Sequence, residues 1–208
     1  MKTQDAYNEI KRVILRTAPE DSYAFSENYF SETLHMSRTP VRSALQQLQF
    51  EGLISIIPHQ GIVIRDLSYE EANQLFEFRK LVESFLISKS IDKLDDEDFR
   101  EMDRCNRELR QLLRQKEYEA YLDLDEYFHL YLYRHHDNPA MLDVIRRFKS
   151  RTYRIRLKRL KCRKNPEEPV DSHEKIASLL RAHKVAEAIA ELEQHQASLE
   201  DFVKYSGE

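Results

Sequence analysis

The 208-residue sequence contains no tryptophan, only three glycines and only two cysteines. Scarce glycine together with 34% charged residues favours charged helices over a sheet-rich fold. No apolar stretch approaches the roughly 20 residues that a membrane span needs, and residues 1–5 lack the features of a signal peptide. These absences predict a cytoplasmic protein that has no membrane partner.

The two cysteines, Cys105 and Cys162, are far apart and form no Cys-x-x-Cys pair. This spacing argues against a zinc ribbon or a disulfide scaffold and fits a reducing compartment. The formal net charge of −4 does not by itself indicate a nucleic-acid-binding protein. Any affinity for DNA must therefore come from basic side chains gathered on one face.

The segment 37–52 has the pattern of a recognition helix. Ser37 is a typical N-cap, Pro40 falls in the first turn, and Gly52 is a C-terminal stop. Apolar residues recur with helical spacing at Val41, Ala44, Leu45 and Leu48. The opposite face carries Arg38, Thr39, Arg42, Ser43, Gln46 and Gln49. Such side chains suit base edges and phosphates, although an ordinary solvated helix face can have the same composition.

Two β-branched runs follow this helix directly. Residues 53–57 and 62–64 are rich in isoleucine and valine, and the turn-forming segment Pro58-His59-Gln60-Gly61 separates them. Two further helices are expected upstream, one over Tyr7–Arg16 and one capped by Ser26. Three helices followed by a hairpin predict a winged helix-turn-helix over residues 1–66, which favours the DNA-binding interpretation of the polar face.

Residues 7–66 resemble the GntR family of transcription regulators. The matching motifs are Phe25-Ser26-Glu27, Leu34 to Arg42, Ala44-Leu45, Leu48, Glu51-Gly52-Leu53 and Gly61. In that family, arginines at the positions of Arg38 and Arg42 contact the operator in the major groove, and residues before the wing glycine approach the minor groove. The polar face of the helix and the resemblance together predict a DNA-binding set of Arg38, Thr39, Arg42, Gln46, His59, Gln60 and Gly61.

From residue 67 to 208 the sequence predicts an all-helical bundle of about six helices. Ser68-Tyr69-Glu70-Glu71 has the capping-box pattern that begins a helix. The expected helices cover residues 68–90, 95–115, 117–136, 138–163, 171–182 and 184–205. The predicted fold is therefore mostly α, with an N-terminal winged helix-turn-helix and a C-terminal helical domain.

Four polar side chains fall within the apolar stripes of these helices. Asp125 and His129 are four residues apart on one helix, and His173 and His195 lie on the last two. If they converge in the bundle, they form the first shell of a divalent transition metal. Each alone is also compatible with a hydrogen-bonded core residue, but four such groups would then need four separate partners.

Residues 68–205 resemble the FCD domain that accompanies this winged domain within the GntR family. The likeness rests on Phe78-Arg79 with Glu83, Asp125-x-x-x-His129, Asn138-Pro139, Ser172 to Ile176 and His195. In FCD domains with this set, an aspartate and three histidines bind a metal, and a small carboxylate effector completes the coordination. The resemblance implies a metal site at Asp125, His129, His173 and His195. Zinc is the first candidate, with nickel, manganese and iron as alternatives.

Two basic features of the second domain have more than one interpretation. Arg79 lies on an apolar stripe, where its guanidinium suits either an organic carboxylate or a structural pair with Glu83. The FCD resemblance favours the first, so Arg79 is the expected effector-binding residue. The segment from Arg146 to Lys164 carries eleven basic residues and no acid, and a solvated helix face is the expected account. Some of its arginines, such as Arg154, could instead line an effector cavity or contact the acidic surface of another subunit.

The two predicted domains together indicate a homodimeric transcription regulator, not an enzyme. It would bind double-stranded DNA at a palindromic operator and respond to a small carboxylate effector. One alternative is a metal-dependent hydrolase that activates water, although the sequence shows no separate general base and no nucleophile motif. The other is a helical interaction module in which the metal is purely structural.

Overall fold

The computed structural model describes residues 2–17, 25–163 and 165–196. Its elements in chain order are α1 (Lys2–Arg16), α2 (Glu27–Thr33), α3 (Arg38–Phe50), β1 (Ile54–Ile57), β2 (Gly61–Ile64), α4 (Tyr69–Ser90), α5 (Asp96–Gln115), α6 (Tyr118–Leu132), α7 (Pro139–Cys162), α8 (Glu168–Arg181) and α9 (Val185–His195). A single 3-10 turn over Ile91–Lys93 follows α4. The mostly α fold with an N-terminal winged helix-turn-helix and a helical C-terminal part is confirmed.

The chain divides into two compact units. One comprises Met1–Leu67 with Ser150–Arg154, and the other comprises Ser68–Lys149 with Ile155–Glu208. In the first unit, α1, α2, α3 and the hairpin enclose one apolar core. Its fully or almost fully buried members are Ala6, Ile10 and Ile14 of α1, Phe30 of α2, Val41, Ala44, Leu45 and Leu48 of α3, and Leu53, Ile54 and Ile62 of the wing.

The helix-turn-helix follows the predicted pattern, with one difference at its cap. The turn between α2 and α3 contains His35 in the left-handed region, at φ 52°. Ser37 occupies the N-cap position of α3, but its side chain makes no capping hydrogen bond. Pro40 lies buried in the first turn, and Gly52, at φ 76°, follows the end of the helix. Glycine suits that position because other residues are strained at positive φ.

The wing is a two-stranded antiparallel hairpin. Its register pairs Ile54 with Ile64 and Ile57 with Gly61. On the other side of β2, Phe25 exchanges two backbone hydrogen bonds with Ile62, at 2.8 and 2.7 Å. The segment before α2 therefore pairs with the edge of β2 that faces away from β1.

The described part of the second unit contains six helices. The capping box that begins α4 is formed: Ser68 Oγ accepts from the Glu71 N–H, and the Glu71 carboxylate accepts from the Ser68 N–H. Helix α5 packs against α6 and α8, and α9 packs against α8 and α4. Although α4 and α7 are 22 and 24 residues long, no described helix has the hydropathy needed to cross a membrane.

Three helix boundaries differ from the prediction. Helix α8 begins at Glu168, before the expected start at 171, because Pro169 is tolerated in the first turn of a helix. Helix α6 ends at Leu132 instead of 136, and the chain then turns so that His135 Nε2 lies 2.8 Å from Asp98 Oδ2. The last helix is described only to His195, and its expected continuation to residue 205 lies outside the described residues.

Candidate functional site

Three helices bring Asp125, His129, His173 and His195 together in the second unit. One ligand atom from each of the four lies within 4.8 Å of the others. Asp125 and His129 are one turn apart on α6, His173 projects from α8, and His195 ends α9. The first three are buried and His195 is partly exposed.

Two of the imidazoles face the same oxygen of Asp125, and the third faces a neighbouring imidazole. His173 Nε2 lies 3.1 Å from His195 Nε2 and 3.5 Å from Asp125 Oδ1. His129 Nε2 lies 3.9 Å from the same Oδ1 atom. The Phe128 ring stacks on His173, with centroids 4.2 Å apart, and thereby fixes the plane of that imidazole.

Burial keeps the three histidines neutral. Removal from water disfavours the imidazolium form and lowers the pKa of His173 to about 4. Burial likewise holds the pKa of His129 and His195 well below the ordinary value, and the nearby Lys149 ammonium lowers that of His129 further. Neutral imidazole is the form that binds metals.

Asp125 remains ionised despite its burial. Desolvation alone would raise its pKa, but positive charge around it, above all the Arg156 guanidinium, holds the pKa well below its usual range. Arg156 Nη2 donates to Asp125 Oδ2, whereas Oδ1 faces the histidines. The two carboxylate oxygens therefore have different neighbours.

A buried ion pair lies behind the cluster. Arg79 Nε donates to Glu83 Oε1 at 2.7 Å, and Gln196 donates to Glu83 Oε2. Glu83 Oε2 also lies 3.5 Å from His129 Nδ1. Its charge favours the proton on Nδ1, which leaves the Nε2 lone pair directed at the cluster. Arg79 thus forms the ion pair with Glu83 that was the alternative to effector binding, and its predicted role toward an effector stays a prediction.

The expectation of a solvated face is wrong for part of the basic segment. Lys149 is completely buried, and its Nζ donates to the Asp125 and Glu126 carbonyls at 3.4 and 3.3 Å. Burial lowers its pKa to about 7. Its position four residues after buried Ile145 is the sequence signal that could have placed it inside.

An open pocket adjoins the cluster. Its empty volume is about 520 Å³, including solvent at its mouth. Asp125, His129 and His195 line it, as do four arginines, namely Arg79, Arg156, Arg159 and Arg163. Among the described lining residues Asp125 is the only carboxylate, so the wall of the pocket is predominantly positive.

The cluster fits a divalent transition metal. His129 Nε2, which faces the cluster, lacks a hydrogen-bond partner among the described residues, although it is buried. Two ligands of a tetrahedral zinc ion, bound at about 2.0–2.1 Å, lie roughly 3.3–3.4 Å apart, and three of the observed separations are 3.1, 3.5 and 3.9 Å. Three neutral imidazoles and one carboxylate are donors that such ions accept.

The first unit presents an exposed polar face on α3. Arg38, Thr39, Arg42 and Gln46 are all exposed, opposite the buried stripe of that helix. At the wing tip, His59 and Gln60 are exposed, and Gly61 adopts φ 99°. Every residue of the predicted DNA-binding set therefore belongs to this helix or to the tip of the hairpin.

A winged helix-turn-helix joined in one chain to a helical unit is the architecture of a DNA-binding transcription regulator. Residues 2–64 match the family model "Bacterial regulatory proteins, gntR family", and residues 74–198 match the model "FCD domain". The chain belongs to the GntR family of transcription regulators and to the group that carries an FCD domain.

Individual relatives agree with this assignment. The HTH-type transcriptional repressor RspR of Escherichia coli K12 is 22% identical over 201 residues, which cover 97% of this chain and 88% of RspR. An uncharacterized HTH-type regulator from the TAR-I ttuE-ttuC' intergenic region of Agrobacterium vitis is 33% identical over 84 residues, 40% of this chain. The match spans 49%, about half, of that relative's length.

A solved structure shares the fold. E. coli McbR/YncC superposes with a TM-score of 0.82 at 19% sequence identity, over 94% of this chain and 93% of that chain. At this identity the likeness concerns the architecture alone.

The buried Arg79–Glu83 pair yields a stability prediction. Replacing Glu83 with leucine leaves a buried guanidinium without its carboxylate, and we expect a loss of about 3–5 kcal/mol in the free energy of unfolding. Urea denaturation at pH 7 measures this loss. The control is Glu77→Leu at an exposed position of the same helix, where a change within about 0.5 kcal/mol is expected. Equal losses in the two variants would contradict the assigned role of the pair.

Proposed function

We propose that this regulator senses a small organic acid beside a metal ion in its helical domain and that the acid alters its affinity for DNA. The observation that supports this proposal is the buried cluster of Asp125, His129, His173 and His195 at the wall of a positively charged pocket. We further infer that the two units correspond to a DNA-binding domain over residues 1–66 and an effector-binding domain over residues 67–208.

The four clustered residues would hold the ion. His129, His173 and His195 offer neutral nitrogens, and Asp125 offers an ionised oxygen. Zinc is the first candidate, and nickel, manganese and iron accept the same donors. When bound, the ion would supply a Lewis-acidic position for one oxygen of a carboxylate effector. Glu83 would orient the His129 ring for this role through its Nδ1 atom.

The pocket wall supports an anionic effector. Arg79 lines the pocket while it is paired with Glu83, so it can contribute donors from a fixed position. Arg156, Arg159 and Arg163 of the basic segment line the same pocket. Guanidinium groups recognise carboxylates with paired N–H donors. We therefore propose that Arg79 binds the effector and that Arg156, Arg159 and Arg163 make the electrostatic potential of the pocket positive.

On the DNA side, we propose that α3 enters the major groove. Arg38, Thr39, Arg42 and Gln46 would contact bases and phosphates, and the wing tip, with His59, Gln60 and Gly61, would approach the minor groove. The exposure of these residues supports the assignment, as does the winged architecture that the family shares.

We propose a homodimer whose two-fold axis matches a palindromic operator. Helix α4 presents an apolar ridge, defined by Phe78, Leu81 and Phe85, at i, i+3 and i+7 spacing. Leu81 is 73% exposed, and an exposed apolar patch of this kind is typical of an interface. A palindromic operator requires two copies of the chain, so we propose that the ridge packs against a second copy.

Metal content tests the cluster directly. Protein purified without a histidine tag is expected to contain about one equivalent of a divalent transition metal per chain by mass spectrometry of the digested sample. His173→Ala/His195→Ala is expected to lose most of it. Ser178→Ala/Gln194→Ala, at exposed positions of the same two helices, is the control and should retain it. Metal-free wild-type protein, or full retention in the histidine variant, would rule out this site.

Coupling between effector and DNA tests the sensing step. The probe is a duplex selected by the protein from a random pool, titrated with and without saturating mono-, di- and tricarboxylates. At least one acid is expected to change the affinity for DNA by roughly 5–150-fold, with a reciprocal change in affinity for the acid. The effect should vanish in His173→Ala/His195→Ala. Unchanged DNA affinity with every acid would instead favour a purely structural metal.

If the α4 ridge forms the dimer interface, a charge placed on it should prevent dimerisation. Leu81→Glu places a charge in the apolar contact and is expected to yield monomers, as measured by light scattering after gel filtration, with weaker binding to the palindromic duplex. Ala186→Glu adds the same charge at an exposed position of α9 and should leave the dimer intact. A Leu81→Glu dimer as tight as the wild type would place the interface elsewhere.

A further inference from the structure

Arg42, on the exposed face of α3, is held by a carboxylate from the preceding helix. Arg42 Nε donates to Glu27 Oε2 at 3.0 Å, and Nη2 donates to Glu27 Oε1 at 3.0 Å. The pair is therefore bidentate, which fixes the plane of the guanidinium group. The Arg42 side chain is 63% exposed and that of Glu27 is 27% exposed, so the pair lies at the surface that α3 presents.

The position of Glu27 is itself firmly determined. Ser26 caps α2 by accepting a hydrogen bond from the Tyr29 N–H at 3.0 Å, which defines the first turn in which Glu27 lies. Phe30 is completely buried in the core and anchors the same turn. The carboxylate is thus attached to a backbone that has little freedom.

The pair occupies only one edge of the guanidinium. Of its five N–H donors, the bonds to Glu27 use one on Nε and one on Nη2. The other edge, formed by Nη1 and the second hydrogen of Nη2, keeps a parallel pair of donors. That edge matches the O6 and N7 acceptors of guanine in the major groove.

We propose that Glu27 is a positioning residue that directs Arg42 to a base edge and away from the phosphates. It fixes the guanidinium plane, and its negative charge disfavours the approach of a phosphate to the same arginine. This inference rests on the proposed role of α3 in reading DNA. In contrast, Arg38 has no carboxylate within ion-pair distance among the described residues, so the restraint is specific to Arg42.

The two roles of Arg42 have different signatures. A guanidinium bound to a base contributes sequence preference at one base pair, whereas one bound to a phosphate contributes salt-dependent affinity for any sequence. Without the Glu27 carboxylate, Arg42 should contribute less to sequence preference and more to salt-dependent affinity for any sequence. If Glu27 had only a structural role, its replacement would change the stability of the protein and leave the preferred DNA sequence unchanged.

The experiment selects bound sequences from a pool of random duplexes, using full-length wild type, Glu27→Gln, Glu32→Gln and Arg42→Ala. Glu32 is an exposed glutamate of the same helix, so its variant makes the same change of charge away from Arg42. Each protein is then titrated with the selected duplex and with a scrambled duplex over a series of salt concentrations. Thermal melting of each variant verifies that it is folded.

We expect Arg42→Ala to lose the preference at one base pair of each half-site, and Glu27→Gln to weaken the preference at that same pair by roughly five- to a hundredfold. On scrambled DNA, Glu27→Gln should bind more tightly than the wild type. For Glu27→Gln, the slope of log affinity against log salt concentration should steepen by about one unit per chain, because Arg42 of each chain gains one phosphate contact. Glu32→Gln should keep the wild-type motif.

Two results would overturn the inference, and they are distinguishable. If Glu27→Gln keeps the full preference at the base pair that Arg42→Ala loses, Glu27 has no positioning role while α3 still reads DNA. If Arg42→Ala selects the same motif as the wild type, or the wild type selects none, the proposed role of Arg42 in reading DNA fails and the inference fails with it.

Discussion

Asp125 carries a negative charge inside the helical unit, and the arrangement around it follows from the need to compensate that charge. Arg156 satisfies one oxygen, Lys149 brings a buried ammonium nearby, and the neutral imidazoles of His129 and His173 face the other oxygen. Removing a carboxylate from water costs several kcal/mol unless it is paired. The cluster of Asp125 and the histidines and the positively charged pocket beside it both surround the same buried charge.

Two arginine–glutamate pairs in the molecule have similar geometry and different consequences. The Arg79–Glu83 pair is buried, so loss of one partner would leave an uncompensated charge in the core. The Arg42–Glu27 pair is largely exposed, and pairs of that kind contribute little to stability. Its value lies in the direction that it gives to a side chain. The same contact serves to support the core in one unit and to orient a surface group in the other.

Periodicity predicted most of the fold and the location of the cluster, because all four cluster residues lie on apolar stripes of regular helices. The internal neighbours were harder to predict. Lys149 lies in a run of basic residues where composition indicates a solvated face, and only its spacing from Ile145 marks it as internal. The Glu27–Arg42 contact joins residues 15 positions apart across a turn. Such a contact depends on the angle between two helices, which sequence spacing alone does not specify.

The cluster draws its members from α6, α8 and the end of α9, so it is complete only after residues some 70 positions apart have been brought together. An ion bound there favours the folded chain by mass action, because the unfolded chain has no assembled site. Loss of the proposed ion would therefore raise the unfolded fraction of the chain and its exposure to proteases. Under the proposed function, the abundance of the protein would then depend on the supply of that ion.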